Sequence, residues 1–185
     1  MRVITGTARG RKLLELEGLE TRPTTSRVKE GIFNIIQFDI EGRRVLDLFA
    51  GTGQLGIEAL SRGAASAVFV DQRRDASAIV RENLERTGFA GKAQVITGDA
   101  MAYLTSAREK FGLIFLDPPY TANLWTRALQ TISQFDILQN HGIILCESPL
   151  EQDMPVLPPP YFQHRVYRYG KIKVTTYHKE EDRPV

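Results

Sequence analysis

From Arg43 onward, short apolar runs alternate with amphipathic stretches. Residues 45–49, 67–71, 93–97, 113–117 and 142–147 read as strands. Residues 55–62, 73–87, 100–108 and 125–135 carry apolar positions at helical spacing. The strand runs are apolar at successive positions, as in parallel strands buried on both faces. Regular alternation of β and α predicts right-handed crossovers and a sheet covered by helices on both sides.

Both ends depart from that rhythm. Near the start, residues 2–5 and 11–14 read as a small hairpin joined through Thr7-Ala8-Arg9-Gly10, followed by a loop over 15–23. Thr24 and Thr25 are good N-cap types, and Val28, Ile32, Ile35 and Ile36 predict a helix to about Phe38. After Pro149, Met154-Pro155 and Pro158-Pro159-Pro160 rule out a helix or central strand. Residues 165–169 and 173–178 then alternate around Gly170-Lys171, as a closing antiparallel hairpin. The expected organisation is an N-terminal appendage over residues 1–40, hairpin plus helix, ahead of one α/β domain over 41–185.

Composition narrows the class. A chain of 185 residues supports one core, and 42% hydrophobic with 25% charged residues excludes disordered, collagen-like and coiled-coil chains. No apolar run approaches the roughly 18 residues of a membrane span. The start lacks the apolar core of a signal peptide, and the single cysteine, Cys146, precludes an intrachain disulfide. A cytoplasmic protein with no membrane partner is expected. Cys146 falls in a buried strand as an inert thiol. His141, His164 and His178 are scattered without ligand spacing, and no metal site is expected.

The net charge of +2 conceals a pattern: residues 1–45 sum to +3, residues 46–163 to −4, and residues 164–185 to +3. Basic ends around an acidic middle suit a polyanionic partner.

The first strand runs into Ala50-Gly51-Thr52-Gly53-Gln54-Leu55-Gly56, with glycines at G-x-G-x-x-G spacing. Such a loop brings backbone close to a ligand at a helix N-terminus. Asp71, 18 residues beyond Gly53, ends the next strand, where a carboxylate can accept from both ribose hydroxyls. The motif alone fits a dinucleotide or another adenosine ligand. Asp47 leans away from a pyrophosphate and towards a ligand bearing a cationic amino group and a sulfonium, which describes S-adenosylmethionine. Asp99, after the third strand, either accepts from the adenine amino group beside the Ala100 N–H, caps the next helix, or does both.

Asp117-Pro118-Pro119-Tyr120 follows the fourth strand. An exocyclic amine conjugated to a base is a poor nucleophile, because its lone pair is delocalised. Two acceptors, the Asp117 carboxylate and the Pro118 carbonyl, can hold it and favour the tetrahedral geometry of attack. The prolines fix φ and present carbonyls, and Tyr120 offers a ring for stacking. A carboxylate near an amine that becomes cationic helps most in the transition state.

Together, Asp47-Leu48-Phe49-Ala50-Gly51-Thr52-Gly53 and Asp117-Pro118-Pro119-Tyr120 resemble the class I S-adenosylmethionine-dependent amino-methyltransferases. More narrowly, the whole chain resembles the bacterial RsmD family, which methylates the exocyclic N2 of a guanine in small-subunit (16S) ribosomal RNA. Residues 22–30, residues 56–63, and the tail with Tyr169, Gly170 and Tyr177 carry that narrower likeness. Ser26 stands where an aspartate is common in the family, and Gly112 where the fourth strand usually begins with one.

The resemblance implies a Rossmann-like class I methyltransferase fold, with a mostly parallel seven-stranded sheet, a closing antiparallel hairpin and the small N-terminal appendage. It implies S-adenosylmethionine as cofactor, held by Asp47, Phe49, Ala50, Gly51 and Gly53 at the methionine end, by Asp71 and Gln72 at the ribose, and by Asp99 and Ala100 at the adenine. Asp117, Pro118, Pro119 and Tyr120 would act on the guanine. The partner would be 16S rRNA or the small ribosomal subunit, and the protein a monomer. Arg9, Arg11, Lys12, Arg22 and Arg27 would meet RNA phosphates, with Arg165, Arg168, Lys171 and Lys173 basic on the closing hairpin. Trp125 reads as core and Asn123 as a helix cap. The competing readings are amino-methylation of adenine N6 in DNA or RNA or of a protein amide, a nicotinamide-dependent dehydrogenase, and a non-catalytic RNA-binding assembly factor.

Overall fold

The computed structural model describes residues 1–16, 26–119 and 123–181. Seven strands form one sheet in the order β3-β2-β1-β4-β5-β7-β6. The parallel part comprises β1 (Arg44–Asp47), β2 (Ser66–Asp71), β3 (Ala93–Thr97), β4 (Phe111–Leu116) and β5 (Leu138–Pro149). The closing strands β6 (Tyr161–Tyr169) and β7 (Ile172–Lys179) pair antiparallel, with β7 inserted between β5 and β6. The helices are α1 (Ser26–Ile35), α2 (Gln54–Ser61), α3 (Arg74–Thr87), α4 (Ala100–Ser106) and α5 (Leu124–Gln134).

Apolar side chains from the two sheet faces build two cores. One gathers Val45, Leu113, Phe115 and Val174 under α1, α2 and α3. The other gathers Leu46, Ile114, Leu116 and Tyr177 under α4 and α5. Every residue of β4 is buried, which explains its unbroken apolar run. Trp125 lies in the second core, its indole Nε1 donating to the Glu147 carbonyl at 2.8 Å. Cys146 is fully buried, and burial pushes its thiol well up.

The N-terminal segment shares the first core rather than standing apart from it: Val3, Ala8 and Leu13 join Val28, Ile32 and Phe33 there. The expected hairpin is reduced to one antiparallel bridge, Arg2–Lys12, with flanking backbone bonds such as Val3 N to Arg11 O at 3.0 Å. A longer ladder does not form because the Ile4 and Thr5 N–H groups are diverted to the two carboxylate oxygens of Glu58 on α2. Thr24, Thr25 and residues 17–23 of the loop predicted over 15–23 fall outside the described residues. Asn123 does occupy the N-cap position of α5, but in the left-handed region (φ 69°) and without a side-chain cap bond. Among the described residues no helix is long and apolar enough to cross a membrane.

Candidate functional site

The chemistry gathers at the carboxyl edge of the parallel strands. β1 ends at Asp47, beside β2 ending at Asp71, and β4 on the other flank runs directly into Asp117. This edge is where open α/β sheets bind ligands.

The glycine loop turns between β1 and α2 with Gly51 and Gly53 at φ +54° and +78°, a region that disfavours other residues. Gly53 N–H bonds back to the Ala50 carbonyl at 2.7 Å, while Ala50 N–H ties to Val70 of β2. Two carboxylates brace the loop. Asp71 accepts from Gly51 N–H and Arg73 N–H, each at 2.9 Å. Asp47 accepts from Gly56 N–H at 3.0 Å, which anchors the first turn of α2. Asn83 of α3, fully buried, adds a third brace. Its Nδ2 donates to the Thr52 and Leu14 carbonyls at 3.0 and 3.2 Å, and its Oδ1 accepts from Leu14 N–H at 2.7 Å. The loop is therefore tied to the N-terminal segment as well as to the sheet. Nothing in the sequence marks Asn83, which is one polar residue in an ordinary amphipathic helix.

Burial pushes the Asp47 carboxyl up to about 7, against the lowering effect of Gly56 N–H, and the carboxylates of Asp117 and Asp71 push it further up. A buried acid facing two others suits a cationic ligand group, which would relieve all three. Phe49 is half-buried against the second core, and Gln72 is exposed just beyond Asp71. Asp99 is exposed at the N-cap of α4, where its Oδ1 accepts from Ala102 N–H at 2.8 Å, and Ala100 is buried behind it. The capping alternative is thus realised, and it occupies one of the two carboxylate oxygens. Asp117 is partly exposed, Pro118 buried and Pro119 exposed, while Tyr120 lies outside the described residues.

The basic candidates divide. Arg9 and Lys12 are exposed on the N-terminal segment, and Arg27 is exposed on α1. Arg11, also exposed, donates through Nη1 to the Arg86 carbonyl at 3.2 Å, so part of its guanidinium is spent on α3. Arg22 lies outside the described residues. The histidines are less scattered than their spacing suggests. Cross-strand pairing brings the His164 and His178 rings to 4.4 Å, and burial, then His164, lowers the His178 pKa. Glu58 carries no expected role from sequence, yet it is fully buried with four donors: Ile4 N–H, Thr5 N–H, Lys29 Nζ and Arg62 Nε.

The family model described as "Conserved hypothetical protein 95" matches residues 1–178. The chain is 41% identical to "Putative rRNA methyltransferase YlbH" of Bacillus subtilis, over 97% of this chain and 99% of that protein. It is 35% identical to "Ribosomal RNA small subunit methyltransferase D" of Escherichia coli, over 97% of this chain and 90% of that protein. The solved structure of "Putative methyltransferase yhhF from Escherichia coli" superposes with a TM-score of 0.88 at 33% identity, covering 98% of this chain and 99% of the other.

Proposed function

The chain belongs to the Conserved hypothetical protein 95 family, and we propose that it transfers a methyl group from S-adenosylmethionine to the exocyclic N2 of a guanine in small-subunit ribosomal RNA. The observation that carries this reading is the position of Asp117-Pro118-Pro119 at the carboxyl end of the central strand β4, one strand from the buried acid Asp47.

The residues fit the cofactor. Asp47 offers a buried negative charge to its amino group, the Gly51–Gly53 turn offers close backbone approach, and Asp71 keeps acceptor capacity for ribose hydroxyls beside its two backbone bonds. Phe49 and Ala50 border the methionine end, Gln72 flanks the ribose, and Asp99 with the Ala100 N–H meets the adenine. When bound, S-adenosylmethionine supplies an electrophilic sulfonium methyl.

The protein's part is positioning and electrostatics. The Asp117 carboxylate and the Pro118 carbonyl accept the two N–H bonds of the guanine amine and turn its lone pair out of conjugation. Pro119 holds the loop in register, and Tyr120 stacks on the base. Positive charge grows on the amine during attack, so Asp117 stabilises the transition state more than the ground state. The N-terminal basic residues Arg9, Lys12 and Arg22, with the remaining donors of Arg11, hold RNA phosphates.

The test is transfer of labelled methyl to unmodified small subunits, naked small-subunit RNA and duplex DNA, by the wild type and Asp117→Ala. Label in N2-methylguanine that disappears in Asp117→Ala is expected. Label in DNA alone overturns the substrate, and no label in any arm overturns the activity.

A further inference from the structure

The edge strand β6 carries a pattern that the cofactor and base sites leave unused. Arg165, Tyr167 and Tyr169 occupy alternate positions and share one face. Tyr167 pairs with Val174, and Tyr169 pairs with Ile172. Both partners belong to the core beneath α1, so this face is the one that α1 overhangs. α1 comes close because it has a glycine at the contact. A Cβ at Gly31 would sit 2.5 Å from the Tyr169 ring.

Beside that contact runs a groove of about 520 Å³, lined by Arg27, Glu30, Asn34, Tyr167 and Tyr169. Its size suits a small planar ligand. Two phenol rings and a guanidinium offer faces for stacking, and Asn34 and Glu30 offer hydrogen-bonding partners for a base edge. Glu30 makes the groove itself a poor place for a phosphate. Two further cations stand close by: Arg165 lies on the same face as the two tyrosines, and Lys171 sits in the turn between β6 and β7, whereas Arg168 and Lys173 pair on the opposite face. That combination selects a chain with π-faced units on an anionic backbone.

Tyr169, at one end of the groove's lining, lies level with the reacting edge. β7 begins at Ile172 opposite Pro149, the carboxyl end of β5, and β6 ends at Tyr169 opposite the same Ile172. β6 and β4 are three strand spacings apart, about 14 Å along the sheet, a gap that a few nucleotides span. The geometry points to a second base-binding site: the α1–β6 groove holds an unstacked base of the single strand that presents the target guanine. This rests on the RNA methyltransferase reading above and extends it to a neighbouring nucleotide.

Filter binding of a labelled single-stranded oligouridylate, at fixed salt, tests the groove without any methyl transfer. Tyr167→Ala should weaken binding about tenfold, the worth of one stacked base, whereas Tyr167→Phe keeps wild-type affinity. Tyr167→Phe should keep the wild-type unfolding midpoint in the presence of S-adenosylhomocysteine, and Tyr167→Ala, which loses some packing on the core beneath α1, should still unfold in one cooperative transition well above the assay temperature. Wild-type affinity in Tyr167→Ala overturns the site. Should Tyr167→Ala fold poorly, photocross-linking of the wild type to a 5-iodouridine strand decides: links at Tyr167 or Tyr169 support the site, and links confined elsewhere overturn it. The two readings fail separately. A chain that methylates subunits but binds RNA without Tyr167 loses the groove alone. A chain that binds through Tyr167 yet transfers no methyl loses the activity alone.

Discussion

Lys29 Nζ lies 3.1 Å from Glu58 Oε2, and neither side chain has more than 2% of its surface in water. Burial lowers the Lys29 pKa, and the Glu58 charge works against that effect. Lys29 also donates to the Arg2 carbonyl at 3.2 Å, and Arg62, at 2.9 Å from Glu58, lies over the Phe33 ring. Glu58 is thus the knot that fastens the N-terminal segment and α1 onto α2. Glu58→Ala should destabilise the fold by about 3–5 kcal/mol, because it strands a buried ammonium and two backbone N–H groups. Lys29→Met should cost less, since Arg62 still neutralises Glu58. Urea unfolding measures both, and a loss below about 1 kcal/mol in Glu58→Ala would contradict the knot.

Asp47 makes ligand binding depend on pH. A ligand with a cationic amino group needs its ionised form, which burial disfavours up to about pH 7. Affinity for S-adenosylhomocysteine should fall as pH drops below 7, by up to about tenfold per unit, with proton release on binding. Calorimetry at pH 6 and 8 reads both. Stability of the free protein should follow the opposite trend. The unfolded carboxyl ionises near 3.8 and the folded one near 7, so between those values the folded state holds an extra proton, and stability falls as pH rises. Asp47→Asn should remove that share of the slope.

Asn83→Ala should weaken cofactor binding without touching the cofactor. Three hydrogen bonds disappear, two that hold Leu14 and one that holds the Thr52 carbonyl in the glycine loop. The Thr52 bond shapes the loop, so Kd for S-adenosylhomocysteine should rise several-fold, roughly 1 kcal/mol per lost bond. An unchanged Kd would mean that Asp47 and Asp71 hold the loop by themselves.

Asp117→Asn keeps the shape of the side chain and loses its charge. kcat should fall about 10²–10³-fold, as for removal of one preorganised electrostatic partner, while affinity for S-adenosylhomocysteine changes far less, since Asp47 and Asp71 remain in place. Steady-state kinetics beside a direct binding measurement separates the two effects.

Arg9→Glu with Lys12→Glu should weaken RNA binding and flatten its salt dependence by about one unit of slope per lost phosphate contact. Cofactor affinity should be unchanged, because both residues are exposed on the N-terminal segment. Retention of the full salt slope would assign the phosphate contacts elsewhere.

Much of the fold was legible because its parallel strands are buried on both faces, so apolar runs mark them within a few residues. β3 is legible despite partial exposure, since Ala93–Thr97 is bounded by turn signals. The first strand pair is the exception. Residues 2–5 and 11–14 have strand composition, but the donors they would share are claimed by Glu58, 53 and 54 residues away. Long-range polar contacts of this kind leave no local pattern. The same holds for Asn83 and for the His164–His178 contact, which needs the antiparallel register of β6 and β7 before it exists. Asp47, Asp71 and Asp117 were legible because strand ends are, and a parallel sheet brings its strand ends to one edge.

The place of β6 at the rim of the sheet bears on self-association. One side of that nine-residue strand pairs with β7, and among the described residues the other side has no strand partner, which leaves it open to a second strand of suitable register. A register shift between Gln163 and Arg165 interrupts the ladder, and Arg165 and Arg168 set like charges against an incoming copy. Variants that neutralise these arginines invite edge-to-edge self-association, so loss of soluble protein in such a variant reports a bared strand before it reports a lost ligand.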